Sequence, residues 1–151
     1  MRTVSQLLAS KTKCFNTIEP GALVIDGLNR VSSTNISYLV VMQGKEYKGI
    51  FSERDYCRNV VLKGLTSGTA TVAEVMTPDF PVVSIDDSIE HCLKTMNNFK
   101  TRYLLVFNGD LFIDVITIHD LLRQVLFNRE KVFDGALTKS LIDTHERCLV
   151  Y

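Results

Sequence analysis

The sequence predicts an α+β fold made of two copies of one β-α-β-β-α unit. Three observations carry that reading. The chain repeats itself at a shift of 65 residues, each copy runs through strand-like and helix-like periodicity in the same order, and each places a Gly at the turn between its two adjacent strands. On the shift, Leu28 falls on Leu93, Tyr38 on Tyr103, Gly44 on Gly109, Ser52 on Thr117, Asp55 on Asp120 and Arg58 on Arg123. The period is too long for a solenoid repeat and suits two small domains packed as a pair. Each alone would bury too little surface to be stable, so the two are expected to share an interface.

The elements follow in chain order. Thr3 and Gln6 have capping-box spacing and predict a short helix over VSQLLAS. FNTIEP reads as a short extended segment ended by Pro20 and Gly21. ALVIDGLNRV places Leu23, Val24, Leu28 and Val31 near helical spacing, with Gly27 as a weak point. SYLVVM is a β-branched, apolar strand, QGKE a turn with Gly44 at its tip, and YKGIF the returning strand of a hairpin. ERDYCRNVVLK is a helix closed by Gly64. Thr71 and Glu74 form a second capping box, opening a short helix that Pro78 ends. The second copy repeats the order: PVVSI, a helix begun by Asp86 or Asp87, RYLLVF, the turn NGD, LFIDVI and the helix IHDLLRQVLF. The implied division is a first domain over 1–64 with the N-terminal helix, a linker with a short helix over 65–78, a second domain over 79–128, and a C-terminal extension over 129–151. In that extension LTKSLIDTHERCLVY is compatible with a helix running into a strand.

Composition narrows the function. Lys plus Arg equals Asp plus Glu at 17 each, so the chain lacks the excess positive charge that nonspecific nucleic-acid binding or a polybasic membrane contact requires. No apolar run approaches the ~20 residues of a membrane helix. MRTVSQLLASKTK lacks a signal-peptide apolar core, and the expectation is a soluble, cytoplasmic chain. Cys14, Cys57, Cys92 and Cys148 are scattered without CxxC spacing and are expected to be reduced and mostly buried, with Cys57 half-buried. With His91, His119 and His145 as the only histidines, no metal site is expected. There is no Gly-rich phosphate loop or nucleophile-base pair, so the chain is expected not to be an enzyme.

One word occurs twice: GIFSERD at 49–55 and DVITIHD at 114–120. Ser52 with Asp55, and Thr117 with Asp120, fit the [ST]xx[DE] pattern of a helix N-cap, and capping alone accounts for both the hydroxyl and the acid. Two features add a ligand reading. Arg54 and Arg58, and likewise His119 and Arg123, share a helix face four residues apart, although cations in a first turn oppose the helix dipole. A bound anion would account for them, as would an arginine paired with Glu53 or Asp55. A carboxylate beside such an anion suits a ribose, whose neighbouring hydroxyls can both donate to it.

GIFSERDYCRNVVLKG, VAEVMTPDFPVVSIDDSIEHCLKTM and TIHDLLRQVL together resemble a tandem pair of CBS domains, the module named after cystathionine beta-synthase, in its stand-alone bacterial form. The resemblance covers roughly residues 3 to 128. It implies two β-α-β-β-α units packed through their sheets as one pseudo-symmetric module that dimerises. It also implies a non-catalytic regulatory sensor of an adenosine-containing ligand (AMP, ADP, ATP, NAD(H) or S-adenosylmethionine), with no cofactor required and an effector on another chain. The alternative is an interaction or dimerisation scaffold whose clefts are vestigial. Carried over, Asp55 and Asp120 hold ribose, Ser52 and Thr117 touch phosphate, and Arg54 and His119 face the phosphates; Arg58, on the face of Arg54, is counted with them as a ligand-binding residue. Thr17, Ile18, Val82 and Val83 line the adenine pocket, with Tyr38 and Tyr103 nearby; core aromatics explain the two tyrosines equally well. The second copy departs from the family pattern: Asp114 stands where Gly49 does, Leu105 replaces a proline, and Val82 replaces a threonine. The cleft of Ser52, Arg54 and Asp55 is therefore expected to be the better one, and that of Thr117 and Asp120 weak, altered or empty.

Overall fold

The computed structural model describes residues 2–12, 15–34 and 36–128, without the side chains of Phe127 and Asn128. Cys14, His145, Cys148 and the extension 129–151 lie outside the described residues. The element order is α1 (Val4–Ser10), β1 (Thr17–Ile18), α2 (Val24–Thr34), β2 (Tyr38–Gln43), β3 (Glu46–Ser52), α3 (Glu53–Asp55, continuing as a π-helix over Tyr56–Val61), α4 (Val72–Val75), β4 (Val82–Ser84), α5 (Ile89–Phe99), β5 (Tyr103–Asn108), β6 (Leu111–Thr117) and α6 (Ile118–Asn128). Two three-stranded sheets result, β1-β2-β3 and β4-β5-β6, each with one parallel and one antiparallel pairing.

The two hairpins agree residue by residue. Tyr38 pairs with Ser52 and Tyr103 with Thr117; the register slips between Val41 and Met42 in one and between Val106 and Phe107 in the other. Gly44 and Gly109 turn the hairpins with φ of 62° and 59°, a left-handed conformation that suits Gly. The central strands are buried on both faces: Val40 and Ile50, and Leu105 and Val115, pair on one face of their sheets, and the larger core packs on the other. Ile18, Leu39, Val41 and Phe51 pack with Val24, Val31 and Val60 in the first repeat, and Val83, Leu104, Val106 and Ile116 with Cys92, Leu93, Met96 and Leu121 in the second.

The described chain forms two compact units, one of residues 15–80 and one of 2–12 with 81–128. The sequence reading grouped the N-terminal helix with the first repeat; in the structure it packs with the second. Val4 and Leu7 enter the core of Val83, Ile89 and Met96. Val4 N donates to Asp87 O at 2.9 Å, Ser5 N to Ile85 O at 2.8 Å, and Ile89 N to Arg2 O at 3.1 Å. Helix α4 docks on the first repeat through the matching bonds: Val72 N to Ala22 O at 2.8 Å, Ala73 N to Pro20 O at 2.9 Å and Val24 N to Ala70 O at 2.9 Å. Each repeat is thus completed by the short capped helix that precedes the other repeat in sequence. Apolar burial, rather than chain proximity, decides which sheet a short amphipathic helix covers.

Two local expectations change. Helix α5 is capped by Ser88, whose Oγ accepts from His91 N at 3.1 Å, not by Asp86 or Asp87. Asp87 instead turns back to accept from Ser84 N at 2.7 Å. The helix after Ser52 is α-helical for its first turn only; Leu62 N bonds to Cys57 O at 3.1 Å, five residues back, and Asn59 Nδ2 ties this wider turn to Val75 O at 2.9 Å. Its counterpart α6 is α-helical throughout.

Candidate functional site

The two words fall at the same place in each unit, where the last strand of the hairpin gives way to a helix. In the first, Ser52 is the N-cap and Asp55 the third helical residue. Ser52 Oγ accepts from Asp55 N at 3.3 Å, while Ser52 N and Ser52 Oγ both donate to Asp55 Oδ2 at 2.8 Å. The other oxygen, Oδ1, accepts from Thr77 Oγ1 at 2.5 Å. Thr77 is held there by a two-bond bridge to Ile50, 2.9 Å in each direction. Asp55 is buried, yet among the described residues every donor it meets is neutral. Arg54 and Arg58 are exposed, and among the described residues neither is engaged by an ion pair or hydrogen bond. The pairing of these arginines with Glu53 or Asp55, left open by the sequence, is absent.

The second word is built alike and charged differently. Thr117 N and Thr117 Oγ1 donate to Asp120 Oδ2 at 2.9 and 3.1 Å, and Asp120 N donates back to Thr117 Oγ1 at 3.2 Å. A lysine stands at this acid, on the oxygen that the cap already holds. Lys11 Nζ stands 3.3 Å from Asp120 Oδ2 and 3.7 Å from Asp114 Oδ1, and donates to Val115 O at 2.6 Å. Asp114 Oδ1 also accepts from Val115 N at 2.7 Å. Burial pushes the Asp114 carboxyl above its ordinary range, and Asp120 adds to the rise; Lys11 and the Val115 amide oppose it. His119 and Arg123 are exposed.

The remaining predicted residues fall into an inner and an outer set. Ile18, Val83 and Tyr38 are buried and Tyr103 is half-buried, whereas Thr17 and Val82 are exposed. Arg30 of α2 donates to the Thr17 carbonyl. An open cleft of about 370 Å³ lies beside the first turn of α3, lined by Leu28, Val31, Ser32, Ile36, Ser37 and Glu53; it borders the word through Glu53. Cys57 is exposed rather than half-buried, and Cys92 is buried, its thiol pushed up to about 12, first by desolvation. Among the described residues no group of His, Cys, Asp and Glu gathers as a metal site, and no helix is long and apolar enough to cross a membrane.

The sequence reading missed Thr77 and Lys11. A signal for Lys11 was present: on the 65-residue shift it falls on Met76, and an aspartate at buried position 114 calls for a cation.

Comparison with known proteins agrees with this architecture. The family model of the CBS domain matches residues 72–126. A solved structure from Burkholderia ambifaria, described as a signal-transduction protein with CBS domains, is 31% identical and superposes with a TM-score of 0.77, covering 89% of this chain and 99% of its own. The chain belongs to the CBS-domain family. This CBS-domain chain is also 25% identical over 133 residues to the mitochondrial CBS domain-containing protein CBSX3 of Arabidopsis thaliana, a match over 82% of this chain that spans 65% of CBSX3. CBSX2, solved in complex with AMP, shares the fold with a TM-score of 0.71 at 24% identity, over 85% of this chain and 98% of its own.

Proposed function

We propose that this CBS-domain chain is a non-catalytic regulatory module that binds an adenosine-containing ligand, with the Ser52–Asp55 word as its main site. The observation that carries the reading is the company Asp55 keeps. Among the described residues its carboxylate accepts from two hydroxyls and an amide and meets no cation, while Arg54 and Arg58 stand exposed without partners. A carboxylate bonded by hydroxyls is suited to a ribose diol, with Thr77 Oγ1 the donor a ligand hydroxyl would replace. Exposed arginines on this turn and the next are suited to the phosphates. CBSX2, which shares this fold, was solved in complex with AMP, and this supports the reading.

Thermal shift with AMP, ADP, ATP, NADH and S-adenosylmethionine is expected to single out at least one ligand that raises the midpoint. Asp55→Ala removes two charge-assisted bonds of ~1.5–3 kcal/mol each, so calorimetry should show affinity for that ligand falling more than tenfold with the fold intact. If none of the five shifts the midpoint, the second reading replaces this one: an interaction or dimerisation scaffold with vestigial clefts. The exposure of Val61, Leu62 and Leu65, and the burial of Asp55, favour that reading. In both readings we propose a cytoplasmic homodimer whose state is read by a separate effector protein.

A further inference from the structure

The second word differs from the first by an ammonium seated on its acid. We propose that Lys11 is a tethered occupant of the Asp120 clasp: it closes the second site in the unliganded chain, and a ribose-bearing ligand enters only by displacing it. The inference rests on the reading of both words as ribose clasps.

Asp120 Oδ2 already accepts from Thr117 N and Thr117 Oγ1, and Lys11 Nζ lies 3.3 Å from it as a third donor. The ammonium neutralises the charge that would strengthen bonds from ligand hydroxyls. Lys11 is also well anchored. Its Nζ is held by the Val115 carbonyl and faces Asp114, and its side chain is only 13% exposed. The helix behind it is pinned as well: Arg2 donates to Gln124 Oε1 at 3.0 Å, and Gln124 Nε2 to Ser10 Oγ at 2.7 Å, so α1 is tied to α6 on both sides of its docking bonds. A group tethered this closely competes at an effective concentration in the millimolar range or above. At the first word the position of Lys11 is taken by Met76, which is uncharged, and the Thr77 hydroxyl bonds the other carboxylate oxygen, Oδ1.

The lock is specific to the second unit because two positions changed together. Residue 49 is glycine, and a Cβ there would come within 2.9 Å of Met76 Sδ and 3.0 Å of the Thr77 carbonyl. On the 65-residue shift Gly49 becomes Asp114 and Met76 becomes Lys11. An apolar contact in one repeat is an ion pair in the other.

Calorimetry in an Asp55→Ala background isolates the second site. Asp55→Ala itself is expected to bind none of AMP, ADP, ATP, NADH and S-adenosylmethionine through Asp120. Adding Lys11→Met should restore binding of at least one of them at one per chain, and adding Asp120→Ala to that variant should abolish it again. Should the loss of the ammonium unfold the chain, as circular dichroism would show, Lys11→Met is combined with Asp114→Gly, which removes the carboxylate left without a cation and restores the glycine of the first repeat. No gain of binding on removing Lys11, or Asp120-dependent binding already present in Asp55→Ala, overturns the proposal. Failure of the function proposed above appears separately, as wild type and Asp55→Ala giving the same null titration.

Discussion

Gly49 and Asp114 hold the same place in their hairpins, opposite Val41 and Val106. Both are buried, and the short docked helix of each unit ends against them. Yet one position excludes a side chain and the other carries a carboxylate with a lysine seated on it. The backbone register of the two units is the same to the residue, so the difference lies in the side chains that fill a common frame. In the first unit, close packing of Met76 and Thr77 over a bare backbone delivers a neutral hydroxyl to Asp55. In the second, the added carboxylate draws a lysine to the same spot, and that lysine reaches Asp120 as well. Two paired changes, one on a strand and one at the end of the docked helix, thereby put a cation beside the acid of the following helix.

The largest effect is expected from imposing the second solution on the first unit. Gly49→Asp would drive a Cβ against Met76 and the Thr77 carbonyl, the second being backbone fixed by its bridge to Ile50. It would also bury a carboxylate with no lysine at position 76. Overpacking costs ~1–3 kcal/mol and an uncompensated buried charge several more. Urea denaturation should therefore show a loss above ~3 kcal/mol, and Gly49→Asp combined with Met76→Lys should recover part of it. A wild-type midpoint in the single variant would mean that the two frames are more permissive than their contacts indicate.

Much of this frame could be read in the sequence. The repeat showed the order of elements along the chain, and Gly44 and Gly109 marked the hairpin turns because both take a left-handed backbone. The two capping boxes gave α1 and α4. What the sequence withheld was the partner of each short helix. VSQLLAS has one apolar face, and local pattern does not say which of two similar sheets it covers; the structure pairs it with the sheet more distant in sequence. That swap is also what brings Thr77 to Asp55 and Lys11 to Asp120, so the donors to both acids were illegible for the same reason. Ser52, Asp55, Thr117 and Asp120 were legible because their contacts are local. The π-helix over Tyr56–Val61 was not, because helical periodicity over six residues does not separate five-residue from four-residue hydrogen bonding.

A smaller effect is expected from removing the neutral donor of the first site. Thr77→Val keeps the shape and deletes the hydroxyl that bonds Asp55 Oδ1. Hydrogen bonds to charged groups contribute ~1.5–3 kcal/mol, and a stability loss of about 2 kcal/mol is expected by urea denaturation. If the word clasps a ribose as proposed, affinity for the ligand singled out by thermal shift should not fall, because the freed oxygen is the one its hydroxyl would take. If stability and affinity fell together, Thr77 would be part of the binding surface rather than a stand-in for the ligand, and the contrast between a yielding hydroxyl in one unit and a seated ammonium in the other would weaken.

The smallest effect is a pH dependence that only the second unit can contribute. Burial holds the Asp114 carboxyl above its ordinary range despite Lys11, with Asp120 raising it further, while position 49 has nothing to titrate. A carboxyl raised in the folded chain keeps its proton more tightly there than in the unfolded chain, whose aspartates titrate near ~3.9. The stability this contributes is complete below the unfolded value and is lost as pH rises through the folded one. Asp114→Asn has no such proton to lose. The stability of wild type minus that of Asp114→Asn should therefore be largest below about pH 4 and decline toward neutrality, as measured by urea midpoints across that range. The baseline offset between the two proteins mixes packing and hydrogen bonding, but only the titrating carboxyl gives the difference a slope. A difference that stays level, or grows, as pH rises would mean that Lys11 holds Asp114 ionised across the whole range. The ion pair would then outweigh burial at this position, and Asp114 would be as indifferent to pH as the glycine it replaces.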